Sequence, residues 1–195
     1  MIIGITGGFG CGKSTVLALF EQYGAQVYSA DRLCHEIYEE KDPEFFSRLV
    51  DYFGAEAVNC DGSANRKFIA SKVFANQDDM NFLNALFKPL LHEKICGIIN
   101  HCRSSKKITA IEIPLLFEEH YEKSVDKVLT VAAPDDSRKR FLAKRGYDFA
   151  EMQKRDAAQM GLDEKIKLAD FVIINCKDEE FLKEQFLIIW NILTR

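Results

Sequence analysis

The 195-residue chain is 47% hydrophobic and 29% charged, which excludes a disordered polypeptide and fits a globule with a sizeable core. Its formal net charge of −4, from 26 Lys and Arg against 30 Asp and Glu, excludes the broad basic excess of a general nucleic-acid binder. No apolar run approaches the roughly eighteen residues of a membrane-spanning helix, so no membrane partner is expected.

The opening, MIIGITGGFGCGKST, carries the strongest signal. A buried strand over Ile2 to Thr6 breaks at Gly7 and Gly8, passes Gly10, Cys11 and Gly12, and lands on Lys13, Ser14 and Thr15. Gly7, Gly12, Lys13 and Ser14 satisfy the phosphate-loop pattern G-x-x-x-x-G-K-[ST]. Glycines let backbone N–H groups converge on phosphate oxygens, and the helix that follows turns the positive end of its dipole toward them. Lys13 reaches the outer phosphates, and the Ser14 hydroxyl is a ligand for Mg²⁺. The chain therefore binds a nucleoside triphosphate, with ATP and Mg²⁺ as the expected pair. The N-terminus has no basic region before its apolar residues, so no signal peptide and a cytoplasmic setting are expected.

A helix over Ser14 to Tyr23 stops at Gly24, and AQVYSAD supplies a second strand ending on Asp31. DRLCHEIYEE continues as a helix, and Asp42 to Cys102 is mainly helical, with cap-like Asp42 and Pro43 opening one segment. Pro89 is expected to start a helix, PLLHEKICGIINHC, rather than sit inside a longer one. KITAIEIPLLF, DKVLTVAAP and ADFVIIN read as three further strands, separated by two basic helices around Gly146 and followed by a closing helix. Apolar strands alternating with helices predict an α/β fold, a five-stranded parallel sheet covered on both faces. One domain is expected, with a core over residues 1–34 and 105–195, a helical substrate-binding insert over 35–104 and a lid over 138–160. Six cysteines (Cys11, Cys34, Cys60, Cys96, Cys102, Cys176) show neither C-x-x-C nor zinc spacing and are expected to be buried free thiols.

Ligands in parallel sheets bind beyond the carboxyl ends of the strands. That rule collects the phosphate loop, Asp31 one strand over, and Glu112 at the end of the third strand. Asp31 reads as the carboxylate that aligns or deprotonates an attacking hydroxyl, and the alternative is a helix N-cap. Glu112 either holds magnesium through water or is a buried, hydrogen-bonded carboxylate. Arg138, Lys139, Arg140, Lys144, Arg145, Lys154 and Arg155 are either a solvated face or a lid over phosphates, with Arg140 the candidate lid residue. No histidine has an evident partner. Cys11, near a helix N-terminus that can lower thiol pKa, reads as a small residue that fits the loop, with sensitivity to alkylation as the alternative.

The segments GITGGFGCGKST, VYSAD, LNALFKPLL, IPLLFE, AAQM and LADFVIIN, in this order, resemble the dephospho-coenzyme A kinase family over almost the whole chain. The resemblance implies a P-loop kinase fold and phosphorylation of the ribose 3′-hydroxyl of dephospho-coenzyme A by ATP. It implies no nucleic acid and no obligatory protein partner. By matching position Asp31 meets the acceptor hydroxyl, Lys13 the phosphates, and Arg140 belongs to the lid. Arg66, Lys88, Pro89, Leu115 and Phe117 fall on acceptor-side positions, and Asn175 on the nucleotide side. The chain departs from the family at His35, where Arg is usual, at Lys88 for His, at Ala132 for Asp and at Ser137 for Gln. Another small-molecule kinase and a nucleotide-sensing module without turnover are the alternatives.

Overall fold

The computed structural model describes residues 1–195, which divide into two compact units, Met1–Ser29 with Ile99–Arg195 and Ala30–Ile98. The first holds five strands, β1 (Ile2–Gly7), β2 (Gln26–Ser29), β3 (Thr109–Glu112), β4 (Lys127–Ala132) and β5 (Phe171–Ile174). They form one parallel sheet in the order β2-β3-β1-β4-β5. β1 and β3 are buried at every residue, as unbroken apolar runs require when helices cover a parallel sheet. Helix α1 (Lys13–Gln22) gives Val16, Leu17 and Phe20 to the main core, and α9 (Glu179–Leu193) gives Leu182, Phe186 and Ile189. Phe20 meets Phe186 edge-on at 5.0 Å, and Trp190 stacks on Phe186 at 5.9 Å.

The strand order corrects one expectation. β2 is not the neighbour of β1, because β3 lies between them, with Glu112 opposite Ile5 on one side and Ser29 on the other. The Asp31 segment therefore leaves the sheet two strands from the phosphate loop. Nor does Asp31 end a strand or cap a helix. Helix α2 (Ala30–Glu39) begins directly after Ser29, and Asp31 sits inside its first turn, where a carboxylate suits the dipole.

The second unit is helical, with α2, α3 (Pro43–Phe53), α4 (Arg66–Ala75) and most of α5 (Gln77–Cys102). Asp42 caps α3 by accepting from Phe45 N at 2.7 Å, Pro43 occupies the first turn, and Gly54 closes the helix with φ +88°. Tyr38, Phe45 and Phe87 form an edge-to-face trio at this unit's core. Pro89 does not start a helix but lies within α5. The expectation fails because burial outweighs the lost N–H. Leu86 and Phe87 before the proline and Ile95 and Ile99 after it are all buried, so packing carries the helix through the gap.

The basic region forms α6 (Asp135–Ala143) and α7 (Phe149–Ala157), with Gly146 between them at φ +80°. A short α8 (Leu162–Leu168) packs against β1 and β4. At the outer edge β5 is closed by a side chain. Gln185 of α9 accepts from Ile174 N and donates to Ile174 O, both at 3.0 Å. All six cysteines are free, but only Cys11 and Cys102 are buried, and Cys60 is exposed on a turn. No helix is long and apolar enough to cross a membrane.

Candidate active site

The phosphate loop closes around atoms that leave no space for side chains. Gly7 ends β1 at φ +142°, and a Cβ there would stand 2.0 Å from the Val131 carbonyl oxygen of β4. Gly12, left-handed at φ +94°, is the N-cap of α1, and its carbonyl accepts from Thr15 and Val16. Helix α1 begins at Lys13, directly after Gly12, so the positive end of its dipole lies at the loop. Lys13 is buried, its Nζ donating to the Gly7 and Gly8 carbonyls at 3.1 and 3.0 Å, so the ammonium lies across the loop. Ser14 and Thr15 are exposed at the helix start, with the Ser14 hydroxyl available to a cation. Cys11 follows the packing reading. It is fully buried, and burial pushes its thiol up despite the nearby charges of Arg138 and Lys13. That makes it a packing residue, not a reactive one.

Asn175, just past β5, is buried and donates from Nδ2 to the Cys11 carbonyl at 3.1 Å. Its Nδ2 stands 2.4 Å from where a Gly12 Cβ would be. The amide thus holds the loop in shape from behind. Beside it opens a cleft of about 450 Å³ bordered by Gly10, Gly12, Thr15, Leu142, Asn175 and Lys177. Its place at the carboxyl ends of β1, β4 and β5 is where a nucleotide held by the loop would extend. Glycines that no side chain can replace, a lysine across the loop and a free hydroxyl fit a triphosphate carrying a divalent ion. No cluster of three or more His, Cys, Asp or Glu could hold a metal by itself. An ion here would thus share phosphate oxygens and water, as Mg²⁺ commonly does.

Glu112 ends β3 and is buried between β1 and β2. Leu115 is exposed and Phe117 buried, so of the two only Leu115 offers its side chain to a ligand. The IPLLFE segment also carries a network that sequence reasoning missed. Lys165 of α8, only 1% exposed, donates to the Pro114 carbonyl at 2.8 Å, to Glu118 Oε1 at 2.9 Å and to Gln159 Oε1 at 3.3 Å. Glu118 Oε1 also accepts from Met160 N at 2.8 Å. The signal was present, since Glu118 and Gln159 lie in the resembling segments IPLLFE and AAQM. What they touch could not be read from their spacing.

Arg140 is exposed on α6, its Nη2 donating to Ser137 Oγ at 3.0 Å. Arg138, read in sequence with either a solvated face or a lid over phosphates, is buried, 4% exposed, against the phosphate loop. Its Nε donates to the Phe9 carbonyl at 2.9 Å and its Nη2 to both Asp156 oxygens at 2.5 and 2.6 Å. Two neighbouring cations on one helix therefore have opposite surroundings.

In the helical unit Asp31 is exposed, and His35, one turn on, shares its face of α2. Arg66, the first residue of α4, donates from Nη2 to His35 Nε2 at 2.7 Å, so His35 has a partner after all. Arg66 also lies 5.9 Å from the Tyr38 ring centroid. Burial pushes the Tyr38 hydroxyl up to about 12 against the pull of Arg66, and burial with the Asp31 charge lifts the Cys34 thiol to about 11. Lys88 and Pro89 are exposed at mid-α5.

A family model described as dephospho-CoA kinase matches residues 1–180. A dephospho-CoA kinase of Carboxydothermus hydrogenoformans is 35% identical over 190 residues, 96% of this chain and 92% of its own. A crystal structure of a Thermus thermophilus protein covers 100% of this chain and 98% of its own, with a TM-score of 0.77 and 34% identity. A dephospho-CoA kinase from Campylobacter jejuni covers 97% of this chain and 95% of its own, with a TM-score of 0.74 and 25% identity.

Proposed function

We propose, from the premise that the chain belongs to the dephospho-CoA kinase family of P-loop kinases, how its residues divide the work of the final phosphorylation in coenzyme A biosynthesis. The donor is ATP and the acceptor is the ribose 3′-hydroxyl of dephospho-coenzyme A. The phosphate loop, with Gly12 as the left-handed cap of α1 and Lys13 across it, is the observation that carries this reading.

Loop amides hold the triphosphate, and Lys13 turns from the Gly7 and Gly8 carbonyls to the outer phosphate oxygens as negative charge moves there. Arg140, exposed on α6, supplies a second cation from the lid segment over residues 138–160. Asp31 aligns the 3′-hydroxyl and takes its proton while the oxygen bonds to the γ-phosphorus and the bond to the β-phosphate oxygen breaks. Arg66, Lys88, Pro89, Leu115 and Phe117 belong to the acceptor side, where Leu115 is exposed and Phe117 buried. Asn175 serves the nucleotide through the loop backbone, by way of the Cys11 carbonyl. Mg²⁺, with Ser14 and Glu112 as its protein-side groups, supplies charge neutralisation on the phosphates when bound. The cytoplasmic compartment is part of the same proposal.

The test is ADP release with dephospho-coenzyme A as acceptor, with and without Mg²⁺. Turnover is expected only with both, and preference for a nucleoside monophosphate would reverse the choice of acceptor. Asp31→Asn is expected to lower kcat about a hundredfold or more with ATP affinity kept. Normal turnover in that variant would remove Asp31 from the chemistry.

A further inference from the structure

The tip of the phosphate loop is held from outside by a charged side chain to which nothing above gives a role. Phe9 lies between Gly8 and Gly10, and Gly10 has φ +79°. Flanking glycines make the Phe9–Gly10 peptide cheap to flip. A flip would turn a carbonyl oxygen to the side where an anion needs an N–H, because the two groups of a trans peptide point in opposite directions. Arg138 Nε takes the Phe9 carbonyl at 2.9 Å. That bond directs the Gly10 N–H away from the guanidinium. The guanidinium also packs beneath Gly8, with Nη2 at 3.5 Å from where a Cβ there would be.

The same guanidinium is tied to α7. Its Nη2 donates to both oxygens of Asp156, and Nη1 donates to Asp135 Oδ1 at 3.1 Å. A second contact joins the same two segments. The Arg155 guanidinium stands 4.3 Å from the Phe9 ring centroid and 5.3 Å from that of Tyr147, and the two rings meet edge-on at 5.2 Å. The loop tip is thus gripped by its carbonyl from Arg138 of α6, itself tied to Asp156 of α7, and by its ring from Tyr147 and Arg155 beyond the Gly146 turn.

We propose that Arg138 is a positioning residue for the phosphoryl donor: it fixes the orientation of the Phe9–Gly10 peptide and makes that orientation depend on the placement of α7 through Asp156. This rests on the loop being the triphosphate site. Arg138→Lys keeps the charge and a partner for Asp156 but replaces the rigid fork, Nε on the Phe9 carbonyl and Nη2 on Asp156, by one freely turning ammonium that no longer fixes the peptide. Asp156→Asn keeps Arg138 and loosens only the tie to α7.

The experiment measures Mg·ATP affinity by titration calorimetry, KM for dephospho-coenzyme A by ADP release, and the denaturation midpoint, for the wild-type protein and both variants. Arg138→Lys is expected to weaken Mg·ATP binding about tenfold and Asp156→Asn about threefold. The combined variant should be no weaker than Arg138→Lys alone, with KM for dephospho-coenzyme A within about twofold throughout. Wild-type Mg·ATP affinity in Arg138→Lys overturns the proposal. So does an equal rise in both substrates' constants, or a lowered midpoint with unchanged nucleotide affinity, since each is the mark of a merely structural residue. A wild-type protein that fails to bind Mg·ATP would instead remove the loop reading on which the proposal stands.

Discussion

Replacing Lys165 by Met tests the buried network directly. The side chain is 1% exposed and serves three acceptors, the Pro114 carbonyl, Glu118 and Gln159. Methionine keeps much of the volume and removes every donor. The Pro114 carbonyl keeps its bond from Thr6 Oγ1 at 3.1 Å, so its loss is small. Gln159 loses a neutral acceptor's partner, worth about 1 kcal/mol. Glu118 loses its cation. Breaking a buried pair from one side costs about 3–5 kcal/mol, and the 20% exposure of Glu118 sets this case at the lower end. The expected loss is therefore about 3–4 kcal/mol, a large share of the roughly 5–15 kcal/mol that holds a domain folded. Adding Glu118→Gln removes the stranded charge and should restore about half of it, since an amide oxygen can still accept from Met160 N. The assay is urea denaturation followed by Trp190 fluorescence, with the two variants and their combination closing a cycle. A loss under about 1 kcal/mol in Lys165→Met, or a double variant no more stable than the single, would refute the reasoning.

Cys11 is expected to resist iodoacetamide in the folded protein, with Cys60 labelled first; peptide mass mapping that finds early modification at Cys11 would contradict its burial. Asp170 Oδ1 pairs with Lys127 Nζ at 2.7 Å and Oδ2 accepts from Val128 N at 2.8 Å. Burial pushes its carboxyl up, but these bonds outweigh it, and the folded-state pKa lies below the ordinary value. The stabilisation is thus complete above about pH 4 and fades as pH falls further. Asp170→Asn should cost about 1 kcal/mol at neutral pH, a figure reduced for solvent screening, with the gap closing toward pH 2. A gap that persists there would count against the charge.

What was legible in the sequence was what is local. The phosphate loop is contiguous, the strands announce themselves by unbroken apolar runs, and Asp42 with Pro43 marks the start of α3 because capping acts over three residues. What failed depends on distant partners. Arg138 looks like its neighbours Lys139 and Arg140 until Asp156, eighteen positions away, is folded beside it. Pro89 reads as a helix start until the buried residues on either side hold α5 through it. The insertion of β3 between β1 and β2 is set by register across the sheet, which no stretch of chain carries by itself. The resemblance pointed to Glu118 and Gln159 without a reason, and the reason is a lysine from another helix.

The amide of Gln185, facing Ile174 with one donor and one acceptor, does what a sixth strand would do at that position. An open border of a sheet is a template on which foreign extended chains can add themselves. Here an intruder would find that rung already taken, and would have to evict a side chain anchored in the closing helix before growing the sheet outward.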